Sequence, residues 1–171
     1  DAFVITRAIA CFERSLLSGN SPYDQYIKNN NTNAMTDAQI RGMNLFFSDR
    51  TNCSTCHSGF NFTNYAFENN GLYIQYADIG RMRLTLKEED MALFKVPGLR
   101  NIEMTGPYMH DGSIQTLQQV IDHYQSGGMD HPHKNPILKP LDLTTPEQKD
   151  LIEFLKALTD DTFLTNPIFK Y

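Results

Sequence analysis

An all-α fold is predicted from three observations. Apolar residues recur with helical period in several stretches, Ser/Thr capping signatures open most of them, and no convincing strands alternate with these helices. Residues 3–17 place Ile5, Ala8, Ile9, Phe12 and Leu16 on one face, with Gly19 as the cap. Ser21-Pro22-Tyr23-Asp24 starts a short second helix through Ile27. The polar run from Lys28 to Asn33 is the best linker. It divides the chain into an N-terminal helical segment, 1–33, and a domain, 34–171. Thr36 and Gln39 open a helix with Ile40, Met43, Phe46 and Phe47 on one side, ending near Asp49. Residues 59–86 read as irregular loop with one short strand pair. Within them Phe60, Phe62, Tyr65 and Phe67 either line an apolar cofactor edge or simply pack on the core. The charge run Lys87–Asp90 reads as a solvated turn. Thr116 and Gln119 cap a helix with Leu117, Val120, Ile121 and Tyr124 on one face, stopped by Gly127-Gly128. Prolines 132, 136 and 140 mark an extended loop. A box at Thr145 starts the last helix, with Leu151, Ile152, Leu155 and Leu158 inward. The tail from Asp160 is an extension with little regular structure.

The chain has 171 residues, enough for one domain with a core plus an extension. Its net charge of −5, without a basic block, excludes nucleic acid as the expected partner. No apolar run is long enough to span a membrane. Asp1 reads as a processed or truncated start, because the helical pattern begins at once. Sequons at Asn30, Asn52 and Asn61 read as accidental, and Cys11 as a buried small hydrophobe.

The chemistry centres on Cys53-Ser54-Thr55-Cys56-His57. This is the C-x-x-C-H signature of c-type haem attachment. Two thiols at this spacing can each add to one haem vinyl group, and the adjacent imidazole can bind the iron from one face. A structural zinc site would need four ligands, and only Cys11 or the distant His131/His133 pair could complete one. A thioredoxin-like pair would sit beside a βαβ pattern, which is absent here. One haem c is therefore expected. Such attachment takes place outside the cytoplasm, so a periplasmic or otherwise exported location is expected. The helix leading into the motif resembles the first helix of cytochrome c domains, which makes the predicted fold cytochrome c-like.

The opposite iron face is open to a second ligand. Met109, Met129, His110, His123 and Tyr124 all lie in a suitable half of the chain. Methionine would raise the potential, whereas a tyrosine phenolate would favour ferric iron and lower it. The residues alone do not choose among them.

A resemblance narrows the choice. Phe94–Asn101, Thr105-Gly106-Pro107-Tyr108-Met109-His110-Asp111-Gly112-Ser113, Phe12–Leu16 with Ser21–Asp24, and Asn52–Phe62 together resemble the bacterial di-haem cytochrome c peroxidase and MauG superfamily. The likeness is to the C-terminal half only; the N-terminal haem domain has no counterpart. It implies that Cys53, Cys56 and His57 attach and ligate the haem. The distal position falls on Tyr124, as in the MauG-like branch, with His123, Met109 and Met129 as alternatives. It further implies calcium at the carbonyls of Thr105 and Pro107, and Arg100 and His110 near the haem propionates or domain interface. An ordinary salt bridge is the alternative for Arg100. The peroxide-reactive haem would lie in the partner half, and the family's inter-haem tryptophan is missing, since the chain has no Trp. The implied function is the electron-relay half of a peroxidase or MauG-like oxidoreductase, acting with an N-terminal haem domain or a separate haem-bearing chain and with an electron donor or protein substrate. No catalytic residue is expected in this chain. The competing reading is a mono-haem electron-transfer subunit.

Overall fold

Local capping chemistry sets where the helices begin. The computed structural model describes residues 1–169. Its elements in order are α1 (Ala2–Ser15), α2 (Pro22–Lys28), α3 (Asp37–Phe46), α4 (Cys53–Cys56), β1 (Phe67–Glu68), α5 (Met82–Thr85), β2 (Phe94–Lys95), α6 (Leu117–Ser126), α7 (Thr145–Lys156) and α8 (Asp161–Leu164). Short 3₁₀ turns fall at Glu88–Asp90, Ile102–Met104 and Pro167–Phe169. Ser21, Thr36 and Thr116 each accept from the backbone of the third helical residue, whose side chain accepts from the cap in return. The last such box is Thr144 with Glu147, one residue before the expected Thr145. Gly127 closes α6 in the left-handed conformation, φ 80°.

The core sits where α3, α6 and α7 meet the loop after the C-x-x-C-H stretch. Phe46, Phe62, Leu151, Phe154 and Leu158 are buried there. Tyr23, from α2, packs edge-on against Phe62 and Phe154, at 5.2 and 5.7 Å between ring centres. Gly42 allows α3 and α7 to touch backbone to backbone. A Cβ at that position would overlap the Asp150 carbonyl and approach Phe154 Cβ to 2.9 Å.

Several expectations are corrected. The fold is helix-dominated but not purely α, because β1 and β2 form an antiparallel pair, Phe67 opposite Lys95 and Glu68 opposite Phe94. The partner strand lies beyond the 59–86 loop, so the pairing is long-range. The N-terminal helix ends at Ser15 with Leu16 as its cap, before Gly19. Its apolar face is exposed: none of its residues is buried, and Cys11 is exposed rather than a core residue. The Lys87–Asp90 run is not wholly solvated, since Asp90 is buried against Arg81 at 3.3 Å. Of the four loop aromatics only Phe62 enters the core; Phe60, Tyr65 and Phe67 stay exposed. The tail forms α8 and a 3₁₀ turn up to Phe169, and its last two residues lie outside the described region.

Gly42→Ala is expected to separate α3 from α7 and cost about 3 kcal/mol, the upper end for overpacking. Equilibrium unfolding of the two forms measures this; equal midpoints would contradict the contact.

Candidate haem site

α4 is a single helical turn. Asn52, at φ 54°, turns the chain into it, and the His57 N–H bonds back to the Cys53 carbonyl at 2.9 Å. One turn brings Cys53 and Cys56 to the same side, which is what two bonds to one planar ligand require. Both are free thiols. Burial raises the pKa of each, so they stand as neutral SH groups. The Cys53 thiol also faces the Thr51 carbonyl at 3.8 Å.

His57 is held from behind. Its Nδ1–H donates to the Phe62 carbonyl at 3.0 Å, which leaves the Nε2 lone pair free. Burial pulls its pKa down and outweighs the opposing pull of the Phe62 and Pro97 carbonyls, so the ring is the neutral form a metal needs. Phe62 reaches this position in the left-handed region, φ 52°, with its ring locked in the core.

Tyr124 lies in the last turn of α6. Burial raises its phenol pKa, Asn70 opposes that with a hydrogen bond, and charge on Cys53, Cys56 and Tyr76 would raise it further, so both thiols lie within its electrostatic reach. The thiol pair and the imidazole with a free nitrogen form a donor set that fits a covalently bound haem. A groove lined by residues such as Glu103, Leu117 and Lys149 includes none of Cys53, Cys56, His57 and Tyr124.

The other expected residues separate. His123 donates from Nε2 to the Asn70 carbonyl at 3.0 Å. The Met109 sulfur accepts from Asn70 Nδ2 at 3.2 Å, its backbone at φ 72°. Met129 is 52% exposed and is tied only through its backbone, N–H to the Gly71 carbonyl at 2.7 Å. Arg100 adopts the salt-bridge alternative: Nη1 and Nη2 grip Asp24 at 2.7 and 3.0 Å, and Nε donates to the Phe60 carbonyl at 2.7 Å. His110 stacks on Phe94 at 3.8 Å, beside Tyr73 and Tyr76. Thr105 and Pro107 lie on an exposed turn. No group of three or more His, Cys, Asp or Glu side chains able to hold a metal occurs among the described residues. Sequence reasoning missed Asn70, which bonds to His123 and Met109 and bears on Tyr124; its segment read only as irregular loop.

No protein-family model matches the chain. The methylamine utilization protein MauG of Methylorubrum extorquens is 36% identical over 156 residues, which covers 90% of this chain and 43% of that protein. The cytochrome c peroxidase Ccp of Escherichia coli is 41% identical over 124 residues, covering 68% of this chain and 26% of its own length. The chain belongs to the MauG and cytochrome c peroxidase superfamily. A solved MauG-like protein associated with microbial copper homeostasis superposes with a TM-score of 0.85 at 35% identity, over 95% of this chain and 58% of that one. The di-haem peroxidase BthA from Burkholderia thailandensis, 22% identical with a TM-score of 0.67, shares the fold. The chain thus spans less than half of the two superfamily relatives named first. Among the described residues, no helix is long and apolar enough to cross a membrane.

The Arg100–Asp24 pair gives a pH signature. Burial alone would raise the Asp24 pKa, but hydrogen bonds from Arg100, Ser21 and Lys28 outweigh it and hold the group down at about 2, against 3.8. A depressed carboxylate stabilises the fold above its unfolded pKa and loses that stabilisation as pH falls through the folded one. Asp24→Asn is therefore expected to cost about 3 kcal/mol at pH 7. The gap to the parent should close between 3.8 and about 2, read by urea unfolding across that range.

Proposed function

We propose that this chain is the haem-bearing, C-terminal half of a di-haem oxidoreductase, in which it relays electrons to a second haem site. The observation that carries this is the C-x-x-C-H turn with His57 held neutral and its Nε2 free. Cys53 and Cys56 would add their S–H groups across the two vinyls, and His57 would ligate the iron through Nε2. The bound haem supplies an iron that changes oxidation state by one electron. Phe62 keeps the imidazole oriented by accepting from Nδ1. Tyr124 is the distal ligand in this reading. Its raised pKa means the phenol must give up its proton against burial, which ferric iron favours and ferrous iron does not. The site would thus favour the oxidised state.

Peroxide reduction, or peroxide-driven oxidation of a protein residue, would be the activity of the whole assembly. The relatives, more than twice this length, carry the names of such enzymes. Residues 1–33 would lead towards the partner half, and the uncovered apolar face of α1 supports that role. The exposed carbonyls of Thr105 and Pro107 could take a calcium ion completed by ligands from that half. Export follows from the attachment chemistry. The second reading, a mono-haem electron-transfer subunit, is favoured by the presence of one C-x-x-C-H and no tryptophan.

Tyr124→Phe is expected to open the sixth position and move the ferric spectrum from low-spin towards high-spin. An unchanged spectrum rejects Tyr124 as ligand. Intact mass of the purified protein should show one covalent haem per copy of this segment. A second covalent haem attached elsewhere on the same polypeptide would favour the di-haem reading over the mono-haem one.

A further inference from the structure

We propose that Tyr73 is a redox-active residue, a surface phenol that yields an electron through Tyr76 to the oxidised haem and its proton to Asp111. This rests on the haem reading above. Tyr73 and Tyr76 meet edge to face, 5.5 Å between ring centres. Tyr76 is buried, and its hydroxyl accepts from the Leu72 and Tyr73 amides and donates to Asn69 Oδ1 at 3.3 Å. The following residue, Asn70, holds His123 through its carbonyl and Met109 through its side chain. Tyr76 is thus tied through Asn69 to the loop that makes these contacts, and it lies within electrostatic reach of Tyr124.

The two phenols differ in what receives their proton. A phenol becomes strongly acidic when it loses an electron, so a radical persists only where a base takes the proton at once. The Tyr76 hydroxyl donates to an amide oxygen, while His110 and His131 pack against its ring at 5.8 and 5.2 Å. Its proton has no carboxylate acceptor, so it can pass an electron without holding the hole. Tyr73 donates to Asp111 Oδ2 at 2.7 Å. Burial opposes ionisation of Asp111, but hydrogen bonds from Tyr73 and Ser113 hold its pKa down at about 2, so it is an ionised acceptor at neutral pH. Tyr73 is partly exposed, and a one-electron donor at the surface can reach it. With no tryptophan present, tyrosine is the most readily oxidised aromatic in the chain.

The step balances. A haem centre one electron above its resting ferric state, generated by a peroxide or another strong one-electron oxidant, takes one electron. Tyr73 loses that electron and its hydroxyl proton, and Asp111 becomes the carboxylic acid. An external one-electron donor then reduces the phenoxyl, and the proton returns from Asp111.

The test uses the haem-loaded protein, with covalent haem verified by mass. It is exposed to hydrogen peroxide, or to photogenerated tris(bipyridine)ruthenium(III) where peroxide leaves the Soret band unchanged, then frozen and read by electron paramagnetic resonance. A phenoxyl signal is expected whose ring-proton splitting collapses with ring-deuterated tyrosine and which vanishes in Tyr73→Phe. Asp111→Asn should lower its yield about a hundredfold, the scale of a positioned proton acceptor. Tyr76→Phe should lower it in haem-loaded protein while leaving the mass-verified haem content unchanged. Thermal unfolding checks that each variant is folded. A preparation lacking covalent haem defeats the haem reading. Haem-loaded protein with no phenoxyl, or with the same signal in Tyr73→Phe, overturns the relay.

Discussion

Phe62 is the residue on which core and site both depend. Its ring is 2% exposed and packs against Phe46, Tyr23 and Phe154, while its carbonyl receives the His57 Nδ1–H. Both demands are met only because the backbone turns through the left-handed region there, a conformation a bulky residue pays for with strain. Core packing thus fixes the imidazole. A loosened aromatic cluster would let the ring rotate and present the wrong nitrogen, so stability and ligation are one constraint in this superfamily member.

A second layer forms around Asn69 and Asn70. Asn69 is fully buried, with its amide on the Ala92 carbonyl and its oxygen shared by Gly71 and Tyr76. This fixes the loop against the end of α6, where the Gly71 carbonyl takes the Met129 amide. The same loop holds two of the other candidate ligands: Asn70 engages His123 and Met109, while Met129 is largely exposed.

What could be read from the sequence was local. The capping residues Ser21, Thr36 and Thr116 announce their helices because the hydrogen bonds lie three residues away. The C-x-x-C-H turn is likewise self-contained. Readings that needed a distant partner went astray or stayed open. Periodicity identified the apolar stripe of α1 correctly as a stripe but could not say what covers it, and Cys11 was misplaced with it. β1 finds its partner 27 residues on, Arg100 finds Asp24 76 residues back, and Asn70 meets Met109 39 residues on. None of these leaves a signal in a short window.

The backbone contact at Gly42 has a bearing on how the molecule is made. α3 rests on α7, and all of residues 57–144 must emerge before α7 does. During synthesis the C-x-x-C-H turn therefore appears while the helix that completes its supporting core is still absent. Closing so long a loop is also entropically costly, so the nascent chain keeps the region open. The thiols that burial later shields are at that stage not yet covered by that core.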